Sequence, residues 1–143
     1  MILYQEQRII NASVQKVFDV IVDYSSYSLW NRWIHFAEEN LDGTVTVKTT
    51  INGKEKTFQH KIIEVSPHHT FHWCDMGWFT LFAFGQRLRN IEALSEHQCR
   101  YVCELRVTGL ANKLADITHG RFMREGLTKE ADSLKAYVEA LVF

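Results

Sequence analysis

The sequence predicts an α+β fold in which a curved antiparallel sheet of about six or seven strands wraps around one long C-terminal helix. A helix-patterned stretch covers residues 112–143 and follows a series of strand-patterned segments. The last segment, residues 99–108, alternates apolar and polar side chains, which is typical of an antiparallel strand with one buried face. A single helix beside one sheet must lie across it, because each has an apolar face to bury.

The first part of the chain is predicted to hold a strand, two short helices and a second strand. Ser13 is a good N-cap, because its hydroxyl accepts from the backbone of the first helical turn. The predicted elements are a strand at residues 2–11, a helix with Val14, Val17, Phe18 and Ile21 at helical spacing, a turn capped by Ser26 that carries Tyr27, Trp30 and Trp33, and a strand at residues 34–39.

Turn signals divide the middle of the chain into further strands. Asn52-Gly53 is the strongest hairpin signal, because both residues tolerate the positive φ angles of a type I′ turn. Pro67 ends the strand that returns from this hairpin, and a polar turn lies at residues 95–97. The predicted strands cover residues 44–51, 56–65, 70–76, 80–92 and 99–108.

The terminal helix has one broad apolar stripe that would face the sheet. Gly120 and Gly126 interrupt it, so the helix either bends there or leaves room beneath the small residues. The stripe consists of Leu114, Ile117, Phe122, Met123, Leu127, Ala131, Leu134, Val138 and Leu141.

Composition narrows the classes of protein that the chain fits. Its 143 residues suggest a single domain over residues 1–143, and a net charge of -1 gives no field that would attract nucleic acid. No stretch approaches the roughly 20 apolar residues of a membrane span, and the N-terminus lacks the pattern of a signal peptide. The small and odd number of cysteines, three, indicates reduced thiols, so we expect a cytoplasmic protein. We expect no stable insertion into a membrane.

No metal or cofactor is predicted. In the stretch His68-His69-x-x-His72, the first two histidines follow Pro67 in a turn and the third is expected to face solvent on the next strand. No Cys or carboxylate nearby completes a known zinc-ligand spacing. Gly-rich phosphate loops and dinucleotide fingerprints are missing from the sequence. The oligomeric state is left open.

Several local patterns occur in the order found in one superfamily. Asp23, Tyr27, Trp30 and Asn31 form a D-x-x-x-Y-x-x-W-N pattern, and further similarities lie at residues 10–18, 57–67, 71–73 and 134–139. Over nearly its whole length the chain resembles the SRPBCC superfamily, also called START-like, and within it the bacterial polyketide cyclase/dehydrase-type proteins. The resemblance implies a helix-grip fold with a ligand cavity. It implies no particular reaction, because the superfamily includes cyclases, hydroxylase domains, lipid carriers and sensors.

Strand alternation selects the side chains expected to face that cavity. The facing of residues 80–92 is open, because one face is more apolar while the other carries Arg87 and Arg89. His60 is a candidate acid or base near neutral pH, and Tyr101 and Gln86 are candidate donors to a ligand oxygen. The expected ligand-binding residues are Trp30, Trp33, Phe58, Trp73, Phe84, Tyr101, Cys103, Leu105 and Phe122, although a solid core needs the same apolar types.

Three functions fit these observations. The preferred one is binding or transport of an apolar or aromatic small molecule. The chain differs from the family pattern at positions where polar pocket residues are expected, and it has Arg32, Gln86 or Arg87, and Leu105 there. The alternative is a cyclase/dehydratase-like enzyme with a pocket acid or base. The third is a protein-interaction module of the same fold. A cavity of at least about 300 Å³ with convergent polar groups would favour an enzyme. A large cavity with a nearly all-apolar wall would favour a carrier. A filled core or a large exposed apolar patch would favour an interaction module.

Overall fold

The computed structural model describes residues 1–142 and consists of a seven-stranded antiparallel sheet with a long helix across it. The elements are β1 (Ile2–Ile10), α1 (Val14–Val22), α2 (Tyr27–Trp30), β2 (Ile34–Glu39), β3 (Thr44–Ile51), β4 (Lys54–Ser66), β5 (Thr70–Asp75), β6 (Phe84–Ser95), β7 (Gln98–Thr108) and α3 (Asn112–Leu141). The strand order β1-β7-β6-β5-β4-β3-β2 brings the first strand beside the last. The predicted α+β architecture and the order of its elements are confirmed.

The two short helices lead the chain from β1 to β2 at the far edge of the sheet. The Ser13 hydroxyl accepts from the backbone N of Lys16 at 3.2 Å, which confirms the predicted N-cap of α1. Helix α2 is a single turn, so Trp33 lies beyond its end. The Asn31 side-chain oxygen accepts from the backbone N of Trp33 and Ile34 at 2.9 and 2.8 Å, and this directs the chain into β2.

The predicted hairpin turn is confirmed, because Asn52 and Gly53 have φ angles of 51° and 78°. The predicted start of β6 at residue 80 is wrong, since the strand begins at Phe84. Residues 78–81 form a 3₁₀ turn instead. The Thr80 hydroxyl donates to the carbonyl O of Gly77 at 2.8 Å, and such side-chain bonds to nearby backbone compete with strand pairing.

Helix α3 packs against the sheet with the second half of the predicted stripe. Leu127, Ala131, Leu134 and Val138 are buried, each at most 1 % exposed. The prediction is wrong for the ends of the stripe, because Leu114, Ile117 and Leu141 are 60 %, 80 % and 49 % exposed. Phe122 and Met123 of the predicted stripe do line the space beneath the helix, together with Ala115 and His119, which the stripe did not include. Phe143, predicted at the end of the helix, lies outside the described residues.

In β6, the face that carries the two arginines is the one that points inward. Arg87 and Arg89 are 5 % and 1 % exposed and point to the side of α3, together with Gly85 and Ile91. Phe84, Gln86 and Leu88 lie on the opposite face and are partly exposed, so the more apolar face of the strand is the outer one. Burial of the arginines requires a partner on the helix, since an unpaired buried charge is costly.

The three cysteines, Cys74, Cys99 and Cys103, are buried free thiols. Burial raises the pKa of Cys99 and of Cys103 to about 11, so both thiols are protonated at neutral pH. Among residues 1–142, no helix is long and apolar enough to cross a membrane.

Candidate functional site

A partly open cavity of about 310 Å³ lies between the sheet and the first half of α3. Since an engineered apolar cavity of about 150 Å³ binds benzene, a volume of about 310 Å³ suits a molecule of two fused rings. Its polar lining residues are Thr49, His60, Asp75, Arg87 and His119. The apolar lining residues are Trp33, Ile34, Val47, Ile51, Phe58, Phe79, Ala83, Leu105, Val107, Ala115, Phe122 and Met123.

Trp33 and Phe122 form one end of this cavity and also line a second pocket of about 100 Å³. Their rings meet edge to face at 6.1 Å between centroids. The Trp33 indole lies directly against Gly126 of α3, where a Cβ atom would come within 2.2 Å of the ring. The glycine therefore makes room for the tryptophan beneath the helix, which is one of the two roles that the sequence left open for it.

His60 and Asp75 form a polar pair in the cavity wall, on the neighbouring strands β4 and β5. His60 Nδ1 lies 3.4 Å from Asp75 Oδ1, and its ring stacks on Trp73 at 5.1 Å between centroids. The atoms are close enough for charge attraction but are not aligned for a hydrogen bond, and His60 Nδ1 has no other partner within residues 1–142. The other oxygen of Asp75 accepts from the backbone N of Gly85 at 2.9 Å. This arrangement holds a proton acceptor and a carboxylate side by side in an apolar pocket.

A buried cluster of charges joins the sheet to α3 at the other side of the site. Glu130, which is fully buried, accepts on Oε1 from Arg87 Nη2 at 2.7 Å and from Arg89 Nε and Nη2 at 3.1 and 2.7 Å. Its second oxygen accepts from the Asn31 side chain at 3.1 Å. The Arg87 guanidinium lies 4.7 Å from the ring centroid of Trp33. Arg87 thus links the charge cluster to the cavity wall.

Charge pairing dominates the electrostatics of this cluster. Burial alone would raise the pKa of Glu130, but the guanidinium groups of Arg87 and Arg89 outweigh burial and hold that pKa at about 2. Glu130 is therefore ionised at neutral pH despite complete burial, and both arginines remain charged.

Almost the whole chain matches the sequence model of one protein family. The family described as polyketide cyclase/dehydrase and lipid transport matches residues 1–139. The chain belongs to this family. No curated protein matches it.

Solved structures share the helix-grip fold of the START superfamily at low identity, so their similarity shows the fold alone. The Zhui aromatase/cyclase from Streptomyces sp. R1128 superposes with a TM-score of 0.80 at 11 % identity, over 99 % of this chain and 96 % of that chain. A START superfamily protein from Mycobacterium smegmatis gives 0.70 at 18 % identity, over 97 % and 98 %. Norcoclaurine synthase from Thalictrum flavum gives 0.73 at 13 % identity, over 96 % and 86 %.

The structure brings part of the predicted site together. Trp33, Phe58, Leu105 and Phe122 line the cavity, as does the catalytic candidate His60. The positions of Phe58, His60, Leu105 and Phe122 follow from strand alternation on β4 and β7 and from helical spacing on α3, whereas Trp33 lies in the bend between α2 and β2. Whether they bind a ligand stays a prediction.

Other predicted ligand-binding residues lie away from the cavity lining. Trp73, Tyr101 and Cys103 point inward but are fully buried, and none of the three lines the cavity. Trp30 is 6 % exposed and packs against Tyr27 and Tyr137 in the core.

The remaining two predicted residues are on the outer face of β6. Phe84 pairs with Thr108 at the end of β7 and does not line the cavity. Gln86 Oε1 lies 3.1 Å from His72 Nε2 across the outer surface, so it is not directed at the cavity. Tyr101, the other candidate donor, has a buried hydroxyl with no partner in the described part of the chain.

Sequence reasoning missed Asp75, Arg87 and Glu130 as site residues. A signal for Glu130 was present, because it stands between Leu127 and Leu134 at helical spacing within the apolar stripe. An acid at such a position requires a buried cation, and the face of β6 that carries two arginines offers one. Considered together, the buried acid and the two arginines would have indicated the inward face of β6, which the sequence analysis left open.

Within residues 1–142, no group of three or more His, Cys, Asp or Glu side chains is placed to hold a metal ion. His68 has a φ of 65° and packs edge to face on Phe18. His72 faces Gln86 instead. The histidines of the His68-His69-x-x-His72 stretch are thus divided between different surroundings.

Exposed apolar side chains occur in the 3₁₀ turn before β6 and around the start of α3. Trp78, Leu81, Leu110 and Ile117 are each at least 65 % exposed. The backbone N of Leu110 donates to the carbonyl O of Leu81 at 3.3 Å, which joins the 3₁₀ turn to the start of α3. These exposed side chains fit the protein-interaction hypothesis. The other feature that would favour this hypothesis is a filled core, and the structure has a cavity instead. The hypothesis stays a prediction.

Proposed function

We propose that the protein binds an apolar or aromatic small molecule in the cavity between the sheet and α3. The observation that carries the proposal is a volume of about 310 Å³ whose wall is mostly aliphatic and aromatic. Binding sites for small molecules are typically concave, largely apolar and about 300–1,000 Å³ in volume. The folds of an aromatase/cyclase and of norcoclaurine synthase in complex with dopamine and hydroxybenzaldehyde support an aromatic ligand.

A titration with the neutral fluorescent probe N-phenyl-α-naphthylamine tests the proposal, because its emission rises on transfer from water to an apolar site. Ala115 lines the cavity on α3, so Ala115→Trp fills part of the volume and is expected to weaken probe binding at least tenfold. Ala136→Trp is the matched control, since Ala136 is exposed on the same helix. The control variant is expected to bind the probe as the parent protein does.

Circular dichroism of both variants establishes that the fold is retained. Binding that survives Ala115→Trp in a folded protein would place the probe elsewhere and overturn the proposal. Equal loss in both variants would show that the tryptophan acts on the helix in general, and would equally remove the support for this cavity.

The second candidate function is a dehydratase-like enzyme, which the His60–Asp75 pair favours. Asp75 lies close enough to stabilise a protonated His60 by charge attraction, and stacking on Trp73 fixes the plane of the imidazole. In such a reaction His60 removes the proton next to a ligand carbonyl and an enolate forms. The enolate then expels the β-hydroxyl group, which takes the proton back from His60 and leaves as water while the carbon–carbon double bond forms. A cation such as Arg87 is suited to stabilise the enolate oxygen formed in between.

The β-hydroxyketone formed from benzaldehyde and acetone is a suitable test substrate, because its loss of water gives a conjugated enone with strong ultraviolet absorbance. Turnover above the uncatalysed rate that falls at least about 100-fold in His60→Gln, with probe binding unchanged, would support catalysis. A parent protein that binds the probe but does not accelerate this reaction favours the binding function.

A further inference from the structure

The buried charge cluster contains more positive than negative charge. Arg87, Arg89 and Glu130 are at most 5 % exposed, and two guanidinium groups share a single carboxylate. Asn31 does not correct the balance, because its amide is neutral and donates to the other oxygen of Glu130. A buried ion without its own counter-ion is costly, so an excess cation in a fold requires an explanation beyond packing.

Arg89 and Glu130 form an ion pair without Arg87, with Nη1 of Arg89 buried and unpartnered among residues 1–142. Arg89 donates twice to Glu130 Oε1, and its guanidinium lies 4.8 Å from the ring centroid of Trp73, away from the cavity lining. Arg87 donates once, to the same oxygen, which Arg89 already engages. Arg87 is therefore the cation in excess.

Arg87 also has donor capacity left at the cavity. It lines the cavity wall with a side chain that is only 6 % exposed, and its Nε is buried with no hydrogen-bond partner among residues 1–142. A buried N–H of a charged group that donates to nothing is costly. The bond to Glu130 uses only Nη2, so the guanidinium group retains N–H donors that a ligand oxygen in the cavity could engage after a small side-chain movement.

Asp75, the other charged group of the cavity wall, does not neutralise Arg87. Its side chain is 29 % exposed, it accepts from the backbone N of Gly85, and its near neighbour is His60. Within the described residues, it makes no ion pair of 4.0 Å or less with either buried arginine. The excess charge of Arg87 thus remains available in the apolar part of the site.

We propose that the ligand of this cavity is an aromatic or apolar molecule with one carboxylate or similar delocalised oxyanion, and that Arg87 pairs with this group. The inference rests on the proposed binding function and adds the class of ligand to it. A planar guanidinium beside the Trp33 ring matches a planar carboxylate on an aromatic skeleton, because the two groups can donate and accept side by side.

The test compares β-naphthoate with β-naphthamide, which have nearly the same size and differ in charge. Each is titrated against bound N-phenyl-α-naphthylamine in the parent protein, and the naphthoate is expected to displace it about 10- to 100-fold more effectively, as is typical of a hydrogen bond to a charged group. In Arg87→Met, whose own affinity for the neutral probe is measured first as the reference, the two competitors are expected to become equal within about threefold. Arg87→Lys keeps the charge without the planar fork, so it is expected to retain part of the preference.

The outcomes separate this inference from the function on which it rests. If the neutral probe and both competitors fail to bind, the proposed binding function is overturned and this inference with it. If all three bind but the amide equals the acid in the parent protein, only the inference is overturned. A preference for the acid that persists in Arg87→Met would likewise exclude Arg87 as its source. Should Arg87→Met fail to fold, the comparison of acid and amide in the parent protein and in Arg87→Lys decides.

Discussion

Removal of the Glu130 carboxylate charge by Glu130→Gln is expected to destabilise the protein more than any other neutralisation on α3. Glu130 is fully buried and is the only carboxylate bonded to Arg87 and Arg89 in the described chain. Glutamine keeps the shape of the side chain but leaves both guanidinium groups without a counter-ion. The variant therefore measures the charge interaction and not the loss of packing.

Two independent arguments give the magnitude. The pKa of Glu130 is lowered from 4.5 to about 2 by the two arginines against the opposing effect of burial, and at about 1.4 kcal/mol per pKa unit this corresponds to roughly 3 kcal/mol. Breaking a buried ion pair by removing one partner typically costs about 3–5 kcal/mol. A loss of this size lowers the Tm of a chain of 143 residues by roughly 10 °C.

The same interaction predicts a pH dependence with a definite sign. The folded-state pKa of Glu130 is lowered, so its stabilising effect is complete above about pH 4.5 and is lost as the pH falls toward 2. The difference in unfolding free energy between the parent protein and Glu130→Gln is therefore expected to be largest near neutral pH and to shrink in acid.

Urea unfolding followed by circular dichroism at pH 7 and at pH 3 measures both effects. Glu125→Gln is the matched control, because Glu125 is on the same helix, is 53 % exposed and, among residues 1–142, forms an ion pair only with exposed Arg121. Exposed pairs of this kind contribute less than about 1 kcal/mol. If Glu130→Gln unfolds with the same midpoint as the control, the buried cluster does not hold the helix to the sheet in the way described.

Two further substitutions test the packing around the site. Gly126→Ala places a Cβ that would lie within 2.2 Å of the Trp33 ring, so it is expected to lower stability by about 1–3 kcal/mol and to shift the tryptophan emission, although alanine normally stabilises a helix by about 1 kcal/mol. A rise in Tm would contradict this contact. Tyr101→Phe removes a buried hydroxyl that has no partner in the described residues, so its unfolding free energy is expected to match or exceed that of the parent protein. A loss above about 1 kcal/mol in urea unfolding would mean that the hydroxyl is bonded.

The fold was largely predictable because its signals are local and repeated. The Ser13 cap, the Asn52-Gly53 turn and the alternation along β7 each fix a short segment, and the structure contains all three. The start of β6 was not predictable in the same way. Residues 80–83 are as apolar as a strand, but the backbone turns there, with Thr80 N bonded to Gly77 O and both Phe82 N and Ala83 N bonded to Phe79 O.

The site was less predictable, since side-chain facing on β6 depends on a partner far along the chain. Apolar content alone favoured the wrong face of this strand. The inward face carries Arg87 and Arg89, and what makes their burial tolerable is Glu130, more than forty positions away. A rule that treats each strand by its own hydrophobicity cannot contain this information, whereas a search for buried acids that match buried bases can.

The two halves of α3 have different surroundings, so substitutions in one half are expected to change stability and substitutions in the other half to change ligand binding. From Leu127 onward the inward side chains are buried against β1 and the core, so substitutions there are expected to change unfolding. From Ala115 to Met123 the inward side chains line the cavity, so substitutions there change the space open to a ligand. Glu130 lies just beyond this boundary and reaches Arg87 on the cavity wall. A ligand anion at Arg87 would add a second negative charge to a cluster that already anchors the helix, so ligand binding is expected to tighten the contact between α3 and the sheet.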